Sequence, residues 1–279
     1  MCNNYRYGCL GARVTSWPNA TIALERRRRA YFFALALIAF VAGGCIDLAT
    51  RGRDVVTVLA PIDVEGALET ALDTFQAAVS DVRHRGVYAG GAEHASRVAS
   101  DEAAAIVITG HSSLADFIAE KRAVIERLTI AGDDLVIVAN SGSQLAQNTD
   151  PGVLMRAAVT SVAIPDTAAE PAGMYAREAL LRFGIWSRLE PRVLAVTSVS
   201  KALAALQTGE AQAAIVLGSA LENAQLDRLT IDPSYHQPIR FEILLLDNTE
   251  IAAGELFRFI SGPQGQSVFQ AAGFAPPPS

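Results

Sequence analysis

From residue 55 onward, short β-branched runs alternate with stretches whose apolar residues recur at helical spacing. The runs predict strands at Val55–Ala60, Gly86–Tyr88, Ala104–Ile108, Leu135–Ala139, Val162–Ile164, Val193–Val196, Ala213–Leu217 and Phe241–Leu246. Their unbroken apolar character suits a sheet covered on both faces. Between them, Val64–Val79 sets Leu68, Ala71, Leu72, Phe75 and Val79 on one helical face. Further helices are predicted at Ser113–Arg122, Ala172–Phe183, Val199–Gln207 and Ile251–Ile260. Gly184 and Gly209 stand where helices stop on a left-handed residue. Strands alternating with helices mean an α/β protein with mostly parallel sheets.

Two breaks divide this pattern, Asn140–Gly152 (NSGSQLAQNTDPG) and Asp232–Pro238 (DPSYHQP). One compact αβ block lies between them. The plan that follows has two lobes, residues 45–139 plus 240–279 and residues 140–239. Strands would cross between the lobes near Ala139 and Phe241, and a ligand would bind in the cleft where strand ends and helix N-termini converge. The tail Pro276-Pro277-Pro278-Ser279 reads as disordered.

Residues 1–44 have a different character. Arg26–Arg29 is followed by the apolar run Ala30–Val41 and then Ala42-Gly43-Gly44-Cys45. A basic run, a short apolar run and a small-residue site make an export signal. The run is shorter than the roughly 20 residues that span a bilayer. Its ending fits lipidation at Cys45, with plain cleavage or a retained membrane anchor as the alternatives. Without this segment, 17 basic and 28 acidic residues remain, a net charge of −11. That balance argues against nucleic acid and against an anionic membrane surface. Cys2 and Cys9 fall in the removed segment, so no cysteine pair is left for a disulfide. No nucleophile elbow, phosphate loop or histidine pair at metal-ligand spacing is present.

The stretch "VLAPIDVE", Val58 to Glu65, runs from a strand into the first turn of a helix. Such a corner offers free backbone N–H groups and a positive dipole end to an anion. Here the corner residue is Asp63, itself an anion. It suits two roles, capping the helix or touching the ligand, and the two coincide if its carboxylate sits where an oxyanion would. Gly90-Gly91 reads as a tight loop or as a place where backbone approaches a ligand closely. Thr197, Ser198 and Ser200 suit helix capping or a substitute hydroxyl contact, and Tyr88, Thr109 and His111 lie near strand ends that would face the cleft.

Several segments together resemble the molybdate-binding proteins of ABC transporters. They are "VTVLAPIDVEGALETALDTFQ", "EPAGMYAREALLRFGIWSRLEPRV", "SVSKALAALQTGEAQAAIVLGSA" and the closing "FISGPQGQSVFQAAGFAPP". Their order and spacing hold from about Asp54 to Pro277. The resemblance implies a two-lobe type II periplasmic binding fold and a monomeric extracytoplasmic carrier that hands its solute to a membrane permease, here from a lipid anchor at Cys45. It implies molybdate, tungstate or a similar oxyanion, held without metal or cofactor by hydroxyls and backbone N–H groups of both lobes. Carried onto this chain, the family's pocket falls at Asp63, Gly91, Ala172, Val199 and Leu217. The backbone donors at Ala172 and Val199 remain, while the hydroxyls expected at 63, 91 and 217 are absent, so molybdate binding should be weakened. An alternative is a divergent sensor or adaptor lipoprotein with a protein partner or an amine-bearing ligand paired with Asp63. An enzyme would need acid–base groups that are not found beyond Asp63.

Overall fold

The structure is a computed structural model that describes residues 55–278, apart from 101–103, 144, 222–224 and 248–250. The export signal and Cys45 lie outside the described residues. Two five-stranded sheets form the frame, with orders β2-β1-β3-β10-β4 and β7-β6-β8-β5-β9. The first sheet comprises β1 (Val55–Pro61), β2 (Arg83–Ala89), β3 (Ile106–Thr109), β4 (Val124–Asp133) and β10 (Ile239–Leu246). The second comprises β5 (Leu135–Asn140), β6 (Val162–Pro165), β7 (Val193–Val196), β8 (Ala213–Leu217) and β9 (Leu226–Thr230). Both belong to one compact unit.

Each sheet is mixed rather than mostly parallel. In the first, β1 runs parallel to β2 and β3, while β10 runs antiparallel to β3 and β4. The second repeats the scheme, with β6 parallel to β7 and β8 and β5 antiparallel to β8 and β9. The antiparallel pairs come from the strands next to the two passages of chain between the sheets. The first passage is at Asp134, between β4 and β5, and not near Ala139, because Leu135–Asn140 pairs wholly within the second sheet. The return runs from the end of β9 to Ile239. The strands missing from the sequence reading, β4 and β9, each form one edge of a sheet, and each carries charge within its run (Glu126 and Arg127; Asp227 and Arg228). Edge strands tolerate that because one side faces water.

Eight helices cover the sheets among the described residues: α1 (Glu65–Ala78), α2 (Gly91–Ala99), α3 (Ser112–Lys121), α4 (Pro171–Arg182), α5 (Trp186–Leu189), α6 (Val199–Gln207), α7 (Ile251–Ser261) and α8 (Pro263–Ala271). α1 buries Ala67, Leu68, Ala71, Leu72 and Phe75, the expected face except for Val79, which ends the helix. α4 starts on Pro171 and ends at Gly184, whose φ of +82° lets the N–H groups of Gly184 and Ile185 reach the Leu181 and Leu180 carbonyls. Gly209 at φ +77° stops α6 in the same way. As far as Pro278 the tail packs on the first sheet, where the sequence suggests disorder. Ala275 exchanges hydrogen bonds with Gly132, and the Pro276 carbonyl and Pro278 ring pack beside that glycine.

Candidate functional site

The site lies where the two halves face each other. From the first half come the end of β1, the start of α2, and the corner between β3 and α3. From the second comes the start of α4. A cavity of about 390 Å³ separates them, lined by Pro61, Gly91, His94, Thr109, His111 and Phe117 on one side and Ala168, Ala169, Pro171 and Met174 on the other.

α2 was missed by the sequence reading because its inward face is short. Only Gly91, His94 and Val98 are buried, and the opening Gly90-Gly91 reads as a loop. Gly90 in fact caps the helix in extended conformation, and Gly91 is its first residue. The Gly91 N–H, one of the four that an α-helix leaves unpaired at its start, donates to Glu170 Oε1 at 2.8 Å. Glu170 is the N-cap residue of α4 in the opposite half, yet its side chain makes no cap bond to its own helix. It is only 5% exposed. Burial pushes its carboxyl up, the Gly91 N–H pulls it back and Asp166 raises it again. The approach is close enough that a Cβ on Gly91 would stand 1.8 Å from the Ala169 carbonyl oxygen. A Cβ on Gly90 would be 3.0 Å from Glu170 Oε1 and 3.9 Å from the Thr197 carbonyl, which lies just before α6. Two helix N-termini thus meet at one buried carboxylate, with the Thr197 carbonyl beside them.

Asp63 sits in a turn of 3₁₀-helix, Ile62–Val64, and makes no cap bond. It does not line the same cavity as Gly91. It borders a neighbouring one of about 510 Å³, with Thr70 of α1, Ser219 after β8, and Val268, Ala271 and Phe274 at the end of the chain. Its Oδ2 is enclosed and has no hydrogen-bond partner. Burial, with the charges of Glu170 and Asp133, raises its pKa to about 7. Asp133, at the first passage between sheets, accepts the Asp134 N–H at 2.7 Å, the Ser219 N–H at 3.1 Å and the Ser219 hydroxyl at 2.6 Å. Burial lifts its pKa to about 6 despite these donors. Among the described residues no lysine or arginine lines either cavity.

The other expected positions divide. Ala172 is the second residue of α4, and Val199 is the first of α6, so both amides stand at helix starts with no intrahelical acceptor. Both residues are buried, and neither lines the two cavities. Leu217 ends β8, fully buried and paired with Leu135 in the core. Ser198 caps α6 by accepting from the Lys201 N–H at 3.2 Å. Thr109 and His111 do line the first cavity, whereas the Tyr88 hydroxyl is bound to Glu69. His111 caps α3 through Nδ1, and its ring lies 4.7 Å from that of Tyr175 in α4. His94 is buried with neither ring nitrogen hydrogen-bonded, although the Ile108 carbonyl is near enough to favour its cation slightly. Desolvation lowers its pKa to about 4, so it is neutral at pH 7. Among the described residues no cluster of three or more metal-ligating side chains forms.

Sequence reasoning missed Glu170, Asp133 and His94. For Glu170 a signal existed. Aspartate, asparagine, serine and threonine are the residues that cap helices well, so a glutamate just before the Pro171 that opens a helix is out of place by local rules.

Comparison with known proteins shows what the chain is similar to. The family described as bacterial extracellular solute-binding protein matches residues 56–275. The molybdate-binding protein ModA of Escherichia coli K12 is 26% identical over 257 residues, 87% of this chain and 96% of its own. Among solved structures, the periplasmic molybdate-binding protein of Azotobacter vinelandii superposes with a TM-score of 0.70 at 18% identity, covering 80% of this chain and all of its own. The sulfate-binding protein SubI of Mycobacterium tuberculosis H37Rv gives 0.66 at 18% identity, covering 80% and 86%.

Proposed function

The chain belongs to the bacterial extracellular solute-binding proteins, and on that premise we propose that it is the extracytoplasmic receptor of a molybdate-type ABC transporter with weakened affinity for molybdate itself. Solute binding, without covalent chemistry, is the family's role. The finer reading is that a small oxyanion-like solute binds between residues 55–134 plus 239–278 and residues 135–231, and that the protein works as a monomer. Loading would favour the closed arrangement because both halves contact the ligand. The loaded form would then dock on a permease, with lipidation at Cys45 as its tether.

One observation carries this reading: the starts of α2 and α4 face each other across the cleft, with the approach to α6 beside them. Converging helix N-termini suit an anion. Around them the side-chain chemistry opposes a dianion. Each hydrogen bond to a charged group contributes roughly 1.5–3 kcal/mol, and hydroxyls are absent at Asp63, Gly91 and Leu217. Two unit charges about 4 Å apart repel by roughly 4 kcal/mol at an effective dielectric near 20, and a dianion beside an ionised carboxylate feels about twice that. A second reading is an amine-bearing solute, in a transport or sensor role, supported by the unpartnered Asp63 Oδ2 and by the lack of lysine or arginine among the described residues along both cavities.

A thermal-shift screen separates the two, since a ligand selective for the folded state raises its melting temperature. Stabilisation by millimolar molybdate, tungstate or sulfate supports the oxyanion reading. Stabilisation by small amines and by no oxyanion would replace it with the second.

A further inference from the structure

We infer that Glu170 is the specificity-determining residue of the cleft, because its carboxylate is the chain's own occupant of the anion seat between α2 and α4. The inference deepens the oxyanion reading and rests on it. An incoming anion must displace Glu170 before it reaches the Gly91 N–H.

Three independent features support this. The first is the bond itself, 2.8 Å from a helix-start amide in one half to a carboxylate from the other. A charge-assisted bond of this length is what a bound oxyanion would make with the same amide. The second is enclosure. Glu170 is only 5% exposed and makes no bond to its own helix start, so its side chain is committed to the opposite half. The third is steric. Any side chain at position 91 would collide with the Ala169 carbonyl, at 1.8 Å for the Cβ alone. Only glycine lets α2 come near enough for its amide to reach Glu170. Gly91 and Glu170 therefore form a matched pair, one giving up its side chain and the other supplying the acceptor. The same pair ties the halves together without any solute.

The consequence is a competition. The Gly91 amide serves either Glu170 or a solute oxygen, and while Glu170 stays in place its charge repels any anion nearby. A solute that is neutral at this point meets only the first obstacle.

The test uses purified protein, Glu170→Ala and Glu170→Gln, each checked for native circular dichroism and cooperative melting. Tungstate and molybdate are titrated by calorimetry. Glu170→Ala should bind at least about 10-fold more tightly than wild type, the equivalent of one charge-assisted hydrogen bond regained. Glu170→Gln keeps the shape and loses the charge, and should fall between the two. Sodium acetate supplies a second readout. It should raise the melting temperature of Glu170→Ala by refilling the seat, and leave wild type unchanged against sodium chloride of equal ionic strength. If both folded variants bind oxyanions no better than wild type and acetate has no selective effect, Glu170 is only a structural bridge and the inference is overturned. The wider reading is judged apart, by the screen of wild type against oxyanions and amines, so the two failures stay distinct.

Discussion

Replacing Asp63 by asparagine removes a charge that the fold opposes, and the size of the effect follows from its surroundings. The Asp63 carboxyl moves from an ordinary 3.8 to about 7 on folding, through burial first and the charges of Glu170 and Asp133 next. The folded state therefore holds a proton that the unfolded chain has released at the same pH. Stability is fully present below about pH 4 and is lost as pH rises to about 7, after which the loss is constant. About three pH units, at about 1.4 kcal/mol each, set a ceiling near 4 kcal/mol. Asp63 is partly exposed, and water relaxing around the ion lowers the realised value to about 1–3 kcal/mol. Asp63→Asn should thus be more stable than wild type by that amount at pH 8 and nearly equal to it at pH 4. In melting temperature the gain at pH 8 is about 2–12 °C for a domain of this size. Urea denaturation at pH 4, 6 and 8 gives the comparison. His94 acts in the opposite sense, since its lowered pKa costs stability as pH falls from about 6.5 towards 4, so the variant-minus-wild-type difference is the quantity to read. Asp133 is raised in the same direction, to about 6, but it also accepts three hydrogen bonds that alanine leaves unmet, so Asp133→Ala should lose about 2 kcal/mol at pH 4 and less at pH 8, where it also removes a buried charge. A gain for Asp63→Asn that is the same at pH 4 and pH 8, or absent at both, would refute the reasoning.

Gly91→Ala should force α2 away from the Ala169 carbonyl and break the bond to Glu170. Overpacking together with a stranded buried carboxylate should cost about 2–4 kcal/mol in urea denaturation, with a larger radius of gyration by X-ray scattering; a loss under about 0.5 kcal/mol would mean that the contact is not kept in solution. Arg127→Ala should cost about 2–3 kcal/mol, because Arg127 grips both carboxylate oxygens of Glu242, at 3.0 and 2.8 Å, and that side chain is only 9% exposed. Adding Glu242→Gln should recover part of the loss, and no recovery would show that packing of the arginine stem matters more than its charge.

Much of the frame was legible because the covered strands are continuous apolar runs and the helices carry clear stops. Gly184 and Gly209 end α4 and α6 where the sequence puts them. The edge strands β4 and β9 were not legible, since a strand open to water on one side carries charges that break its apolar run. In β4 one of those charges, Arg127, is held by Glu242 on the neighbouring strand, 115 residues away. The passage between sheets was misplaced for a related reason. "IAGDDLVIVA" reads as a turn before a strand of the same sheet, while in space the two aspartates mark the chain leaving one sheet for the other. At the site, the strand-to-helix corner at Asp63 could be read locally, because helix starts have local chemistry, whereas Gly90-Gly91 showed only a close backbone approach, which falls on the Ala169 carbonyl, and hid the helix it opens. The partner of Gly91 could not be read locally, because that bond joins residues 79 positions apart in different halves. What local reading could see was the misfit of Glu170 as a helix cap, a residue placed for something other than its own helix.

The central claim is that the cleft's anion seat is filled by the chain's own carboxylate and lacks the hydroxyls expected at positions 63, 91 and 217, so a tetrahedral dianion binds poorly. Calorimetric titration of the wild-type protein with tungstate at pH 7.5 tests it most directly. The expected result is a dissociation constant weaker than about 10 µM, corresponding to less than about 7 kcal/mol of binding free energy. A submicromolar constant with Glu170 and Asp63 both intact would contradict the account.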